Sequence, residues 1–171
     1  SDRTPFLIDI APTKDKSFFT LAIETQAGVH SGLDSSARHL LDSGLAATLT
    51  GLTAQDWNTQ RSRFGHLLES FVVQQLMAQA GWTDPDLRFW HYRDKDQVEV
   101  DLVITRGRQT WGVEVKSALT ATPADGQGLR RLAEQCGADY QGGVLLYAGN
   151  SAFALGDGRT LAMPLAGLWE M

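Results

Sequence analysis

Cysteine is almost missing from this 171-residue chain, which has one, Cys136. A lone cysteine cannot form a disulfide within the chain, so the sequence favours a reducing, cytoplasmic compartment. We expect Cys136 to be a small core residue on the apolar side of a helix. A structural zinc is not expected either, because no histidine has a cysteine at zinc spacing; the histidines stand far apart, at His30, His39, His66 and His91.

Long apolar runs are also missing. No stretch approaches the roughly 18 consecutive apolar residues of a membrane-spanning helix, so we expect no membrane partner. The first six residues have neither a secretion signal nor an initiating methionine, and we expect the chain to be a fragment of a longer protein. A hydrophobic fraction of 43% is enough for the core of one ordinary domain.

Positive charge is too scarce for a broad electrostatic grip on phosphates, since the net charge is −5. Any nucleic-acid contact would have to come from a local basic rim. Each candidate pair, taken singly, is better explained as solvated surface charge. The candidates are Arg61 and Arg63, Arg88 and Arg93 with Lys95, Arg106 and Arg108, and Arg130 and Arg131.

The chain divides into three parts. Residues 1–36 are unassigned, with predicted strands over residues 6–10 and 17–25. Residues 37–56 are predicted to form a helical connector, because several leucines share one helical face. Residues 57–171 are predicted to form the main domain.

The main domain is predicted to be of the α/β class. Its apolar patterns predict a buried helix over residues 62–80 closed by Gly81, and a second helix over residues 123–138. Strands are predicted over residues 87–92, 97–105, 110–117 and 143–148, followed by a C-terminal hairpin at residues 156–158. The order is therefore helix, three-strand meander, helix, strand and hairpin.

Two neighbouring strands of the meander can be aligned by counting. Residues 106–109 suit a tight turn with Gly107 at its first central position. If Arg106 pairs with Gln109, one side of the hairpin is wholly apolar, which supports this register because a one-residue slip would scramble it. The apolar pairs are then Ile104 with Trp111, Leu102 with Val113, and Val100 with Val115.

On the other side the same register sets Asp101 opposite Glu114 and Glu99 opposite Lys116. Opposed carboxylates destabilise a sheet unless a cation lies between them. Rigidly held oxygen ligands suit Mg²⁺ or Mn²⁺. Lys116, on the same face, could orient or deprotonate an attacking water, or stabilise the charge that develops on a phosphate.

These residues also have plainer interpretations. The strand could simply face solvent, with Glu99 and Lys116 as a surface ion pair that contributes at most ~1 kcal/mol. Glu69, on an otherwise apolar side of the first helix, could hold a cation, lie at the exposed helix edge, or pair with Arg93. For the four opposed strand residues together we favour a site; for Glu69 the alternatives stay open.

The sequence Glu69, Asp101 and Glu114-Val115-Lys116 resembles the PD-(D/E)xK nuclease superfamily. More closely, the chain resembles the nuclease-like C-terminal domain of unknown function that follows AAA+ ATPase modules in bacteria and archaea. Val100 stands where the superfamily name has proline, Gln135 and Tyr140 miss the Gln-x-x-x-Tyr spacing of some relatives by one residue, and the ATPase phosphate loop is missing. The matching stretches are residues 40–45, 65–69, 89–90, 99–101, 113–116, 144–147 and 164–169.

The resemblance implies a restriction-endonuclease-like fold and Mg²⁺- or Mn²⁺-dependent hydrolysis of phosphodiester bonds in DNA or RNA. Asp101, Glu114 and the Val115 carbonyl would hold the metal, Glu69 would bind a second metal or a metal-bound water, and Lys116 would position the nucleophile. An AAA+ ATPase module would be the partner. The alternative is a catalytically silent module that binds nucleic acid or protein and regulates an ATPase. The oligomeric state stays open.

Overall fold

The computed structural model describes residues 6–12, 19–25, 28–29, 47, 51–156 and 158–169. The helices discussed below are α1 (Asp56–Thr59), α2 (Gly65–Thr83) and α3 (Gln127–Cys136). The strands join in one sheet of order β3-β2-β1-β4-β5-β6-β7-β9-β8. Their bounds are β1 Phe6–Pro12, β2 Phe19–Thr25, β3 Gly28–Val29, β4 Arg88–Arg93, β5 Glu99–Arg106, β6 Gln109–Lys116, β7 Tyr140–Tyr147, β8 Phe153–Leu155 and β9 Thr160–Pro164.

The sheet is mixed, which confirms the α/β class. Strands β4, β5 and β6 form the predicted antiparallel meander. Helix α3 then connects β6 to β7, and these two strands are parallel. Strands β8 and β9 pair as the C-terminal hairpin. Strands β1 and β2 fall where the sequence predicts strands, and β1 pairs with β4, so the unassigned segment shares the sheet. Most of the predicted connector helix, residues 37–56, lies outside the described residues.

The predicted ends of the helices need correction. Helix α2 continues through Gly81 to Thr83, and its predicted start is a 3₁₀ turn at Arg61–Phe64. Asp84 leaves the helical conformation because Pro85 follows it, and a residue before proline is disfavoured in that conformation. The predicted helix over residues 123–138 consists of a 3₁₀ turn, α3 and a second 3₁₀ turn.

The hairpin register is confirmed near its turn and wrong at its open end. Arg106 pairs with Gln109, and Gly107 has the positive φ of +58° that the tight turn requires. The predicted Ile104–Trp111 and Leu102–Val113 pairs are present. Val100 does not continue this pattern, because it packs against α3 whereas Val115 packs on the α2 side.

Helices α2 and α3 cover opposite faces of the meander. Val113 of β6 belongs to the core beneath α2, whereas the neighbouring Gly112 lies under α3, and adjacent strand residues point to opposite faces. The α2 core contains Val72, Val73, Leu102, Val113, Leu146 and Leu168. The α3 core contains Tyr92, Val100, Val103, Leu129, Leu132, Ala133 and Tyr140, with the half-buried Cys136 against it, as predicted for the lone cysteine.

Within the described residues, none of the helices has the length and apolar character needed to cross a membrane.

Leu129 provides a test of the α3 core. Its fully buried side chain lies over Gly112 and Gly143, two positions without side chains of their own. Replacing Leu129 with Ala should lower the free energy of unfolding by about 2–5 kcal/mol, because it leaves a cavity. The exposed Leu161 is the matched control. Leu161→Ala should change the free energy of unfolding, measured by urea denaturation, by less than about 0.5 kcal/mol. Equal losses for the two variants would contradict the described packing.

Candidate functional site

Asp101 lies in a β-bulge at the open end of the β5–β6 hairpin. Trp90 pairs with Val103 and Tyr92 with Val100, so His91 alone faces two residues of β5, Asp101 and Leu102. Bulges of this kind re-aim side chains and are frequent beside active sites.

The bulge changes what the Val115 amide binds. In a regular ladder of this register, the Val115 N–H would donate to the carbonyl of Val100. Instead it donates to Asp101 Oδ2 at 2.7 Å. The Asp101 carboxylate therefore takes the place of a backbone acceptor, which anchors it to β6.

Glu114 lies on the α3 face, two residues beyond Gly112. Its Oε1 reaches the space beside Gly128 of α3, where a β-carbon would collide with both Glu114 Oε1 and the Glu99 carbonyl oxygen. The absence of a side chain at Gly128 therefore leaves room for the carboxyl group. Glu114 shares a side-chain hydrogen bond with Asp101, which raises the pKa of Glu114 and lowers that of Asp101.

This carboxyl pair resists full ionisation. Burial raises the pKa of Asp101, and the negative charge of Glu69 raises it further, although the Val115 N–H opposes the shift. Burial also raises the pKa of Glu114, followed by the charges of Asp101 and Glu69, with Lys116 opposing. The two groups thus hold a proton between them at pH values where isolated carboxyls are ionised.

Glu69 approaches the pair from α2 without joining its hydrogen bond. The half-buried Glu69 lies 3.1 Å from Nδ1 of His66, which is almost fully exposed. Its charge raises the pKa values of both Asp101 and Glu114, so it belongs to the same electrostatic cluster. Of the alternatives left open for Glu69, pairing with Arg93 is not what the structure has, because Arg93 Nε lies 3.0 Å from Glu99 Oε1.

Lys116 is held by a residue that the sequence did not single out. Its Nζ forms an ion pair with Oδ1 of Asp125, in the 3₁₀ turn that precedes α3. The Lys116 charge also acts on Glu114, which places the ammonium group near the carboxyl pair. The alternative interpretation, a surface ion pair between Glu99 and Lys116, is wrong, since Glu99 pairs with Arg93 and Lys116 with Asp125.

Three contributors to the site escaped the sequence reasoning: His91, Asp125 and Gly128. His91 is buried opposite the bulge, its Nδ1 lies 3.4 Å from the Asp101 carbonyl oxygen, and burial lowers its pKa. Its position could not be found because the register count contained no bulge. Asp125 has a weak sequence signal, since Thr122 three residues earlier makes a capping box.

The chemistry of the pair fits a hard divalent cation. The two carboxyl groups, which hold a proton between them, can exchange it for Mg²⁺ or Mn²⁺. The charge of the cation would relieve the repulsion between the two carboxylates. In the part of the chain that the structure describes, no three His, Cys, Asp or Glu side chains are grouped to hold a metal together. Mg²⁺ fits two carboxylates in that setting, because it keeps several waters and takes further ligands from substrate phosphate.

Half of the eight arginines of the basic rim form ion pairs with neighbouring carboxylates. Arg131 lies 3.1 Å from Asp94 and 3.0 Å from Asp96, and it ties the β4–β5 turn to α3. Such pairing lowers the positive charge that is available for nonspecific binding of phosphates. The other rim arginines with carboxylate partners are Arg93 with Glu99, Arg106 with Asp84, and Arg108 with Asp139.

A cleft of about 720 Å³ lies beside the hairpin turn, at the opposite end of β5 from Asp101. Its arginines are engaged within the chain: Arg106 pairs with Asp84 at 2.9 Å, and Arg88 donates to two backbone carbonyls. Because the cleft lies at the other end of β5, it is separate from the carboxyl pair. It is lined by Asp86, Arg88, Trp90, Thr105, Arg106, Gly107 and Gln109.

The fold and the site define a mixed α/β domain with a half-buried carboxyl pair at the open end of its central hairpin. The DUF4143 family, a domain of unknown function, matches residues 64–168, and the chain belongs to this family. No curated protein matches the chain. The matched residues run from Phe64, just before α2, to Leu168 in the 3₁₀ turn after β9, so they include every residue of the candidate site.

The carboxyl pair predicts an unusual pH dependence. The folded state binds more protons than the unfolded chain, whose carboxyls have pKa values near 3.8 and 4.5, because both pKa values are raised on folding. The contribution of the pair to stability should therefore be lost as pH rises above those values. Without divalent cations, Glu114→Gln should show a shallower decline than the wild type in thermal melts between about pH 5 and about pH 8. The exposed Glu134→Gln should leave the slope unchanged; equal slopes for Glu114→Gln and wild type would contradict the clustering.

Gly128 predicts a steric effect at the site. Its replacement by Ala should destabilise the fold by about 1–3 kcal/mol, because the methyl group collides with Glu114 and the Glu99 backbone. Gly65→Ala is the matched control, since open space surrounds that position and Ala favours a helix. Denaturant titration of both variants measures the difference. A neutral Gly128→Ala would mean that α3 lies farther from the strands.

Proposed function

We propose that this chain is a metal-dependent phosphodiesterase domain that acts on DNA or, as the less favoured substrate, RNA. The observation that carries the proposal is the half-buried Asp101–Glu114 pair, whose raised pKa values mark two carboxyls that need a proton or a cation between them. Perturbed carboxyls of this kind cluster at functional sites.

The residues have distinct roles in this proposal. Asp101 and Glu114, with the Val115 carbonyl, would hold Mg²⁺ or Mn²⁺, and Glu69 would bind a second ion or a bound water from α2. When bound, the ion would act as a Lewis acid on a phosphoryl oxygen. Lys116 would stabilise the negative charge that develops on the phosphate as water adds to phosphorus and the bond to the leaving oxygen breaks.

The wider assignment rests on the resemblance of the sequence. The order α2, β4–β5–β6, α3, β7 agrees with a restriction-endonuclease-like core, which we propose as the fold type. We also propose that the domain works with an AAA+ ATPase module outside this chain. Because the net charge is negative and half of the rim arginines are paired with carboxylates, nucleic acid would be bound locally at the carboxyl site, through its phosphates.

A second candidate function is a catalytically silent binding module. Two observations favour it: rim arginines such as Arg131 are ion-paired with carboxylates, and no three potential metal ligands are grouped together among the described residues. In such a module the raised pKa values would leave the pair protonated, with a structural role only. Divalent metal binding separates the two candidates, because a protonated structural pair gains nothing from a cation.

Nuclease activity is the decisive measurement. The wild type should cleave labelled single- or double-stranded DNA with Mg²⁺ or Mn²⁺, and EDTA should stop it. Asp101→Asn, Glu114→Gln and Lys116→Met should each lower the rate by about 100-fold or more while the melting temperature stays equal or rises, since the loss is chemical. The exposed Glu134→Gln is the matched control and should cleave like the wild type.

Metal binding is measured in parallel. Mn²⁺ should raise the melting temperature of the wild type by mass action, and Glu114→Gln should abolish the rise. If the wild type neither binds Mn²⁺ nor cleaves any of several DNA and RNA substrates, also with an ATPase-bearing relative and ATP added, the silent-module function replaces the nuclease.

A further inference from the structure

Asp125 is bound on both of its oxygens. Oδ2 accepts hydrogen bonds from the Thr122 backbone N–H and the Thr122 hydroxyl, each at 2.8 Å. Oδ1 faces the Lys116 ammonium group. The Asp125 side chain is only 14% exposed, against 41% for Lys116. The carboxylate is therefore the more enclosed partner with the larger number of contacts, and the lysine is the more exposed one.

The contact joins two elements that border the carboxyl pair. Lys116 is the last residue of β6, two positions after Glu114 and on the same face. Asp125 belongs to the turn that leads into α3, and Gly128 of α3 lies against Glu114. The same turn thus holds Lys116 and leads into the helix beside the carboxyl pair.

The number of donors on lysine decides what this contact can do. An ammonium group has three N–H donors, and one of them is directed at Asp125. The remaining donors can serve an incoming anion without breaking the ion pair. A free lysine would instead lose side-chain entropy when it is ordered at the moment of reaction.

We infer that Asp125 is a positioning residue, which holds the Lys116 ammonium group beside the Asp101–Glu114 pair for contact with a substrate phosphate. The inference rests on the proposed function for its substrate, while the placement of Lys116 can be measured without any activity. Asp125 itself does not touch the reacting atoms; it acts through Lys116.

The first experiment replaces Asp125 with Asn, which keeps an oxygen acceptor for Thr122 but removes the charge that faces Lys116. With DNA and Mg²⁺, kcat should fall about tenfold to a hundredfold, with KM and melting temperature nearly unchanged. In a Lys116→Met background, Asp125→Asn should cause no further loss. The matched control is Asp139→Asn, which breaks the exposed Arg108 pair and should leave kcat unchanged.

The second experiment needs no catalysis. The chain has four lysines, so ¹³C-labelled lysine allows the Lys116 side chain to be followed by NMR. Its ε-methylene protons should be inequivalent in the wild type and in Asp139→Asn, and should merge in Asp125→Asn as the side chain becomes mobile. Two other variants serve if Asp125→Asn fails to fold. Lys116→Gln removes the ammonium group and should lower nuclease activity while the hydrogen bonds between Thr122 and Asp125 stay in place. Thr122→Ala should make the Lys116 side chain more mobile, so that its ε-methylene protons become equivalent.

The outcomes separate the two proposals. An inactive wild type whose Lys116 signal is ordered by Asp125 overturns the nuclease function and retains the positioning. An active wild type with unchanged kcat in Asp125→Asn overturns the positioning alone. Identical Lys116 signals in the wild type and Asp125→Asn overturn the positioning whatever the activity.

Discussion

The hydrogen bond between the Asp101 and Glu114 carboxyls is the interaction on which the rest of the site depends. Two carboxyls on neighbouring strands repel each other once both are ionised, and burial increases the cost. The protein keeps them together with a bulge in β5, the Val115 amide and the space beside Gly128. An arrangement that lowers stability at neutral pH is expected where it serves a function, because structural packing alone gains nothing from it.

The two helices divide the work of building this site. Helix α2 buries its apolar residues on one face of the meander and brings the charge of Glu69 towards the pair. Helix α3 covers the other face, and the turn before it supplies Asp125 to Lys116. Because α3 also connects the parallel strands β6 and β7, the crossover that the topology requires is the same element that borders the carboxyl pair. Membership of the DUF4143 family covers both helices and all the site residues.

Ion pairs between rim arginines and carboxylates of the same chain limit how such a domain could bind nucleic acid. Its net charge is negative, and half of the rim arginines are bound to carboxylates of the same chain. A broad, salt-dependent grip on phosphates is therefore a poor fit. The Lys116 ammonium group, held beside two carboxyls, instead suits a single phosphate approached locally, and a partner module would have to supply the remaining affinity.

Local patterns in the sequence determined the α/β class, the order of the elements, the tight turn at Gly107 and the register beside it, because these depend on alternation and turn chemistry over a few residues. The same patterns predicted that Asp101, Glu114 and Lys116 would lie close together, but the bulge, which no local pattern predicted, sets how Asp101 meets Glu114. Tertiary structure alone decided the bulge opposite His91, the packing of Val100 on the α3 face and the partner of Lys116. Those features depend on how α3 and the β4–β5 turn pack against the sheet, and residues distant in sequence leave no periodic signal for such contacts.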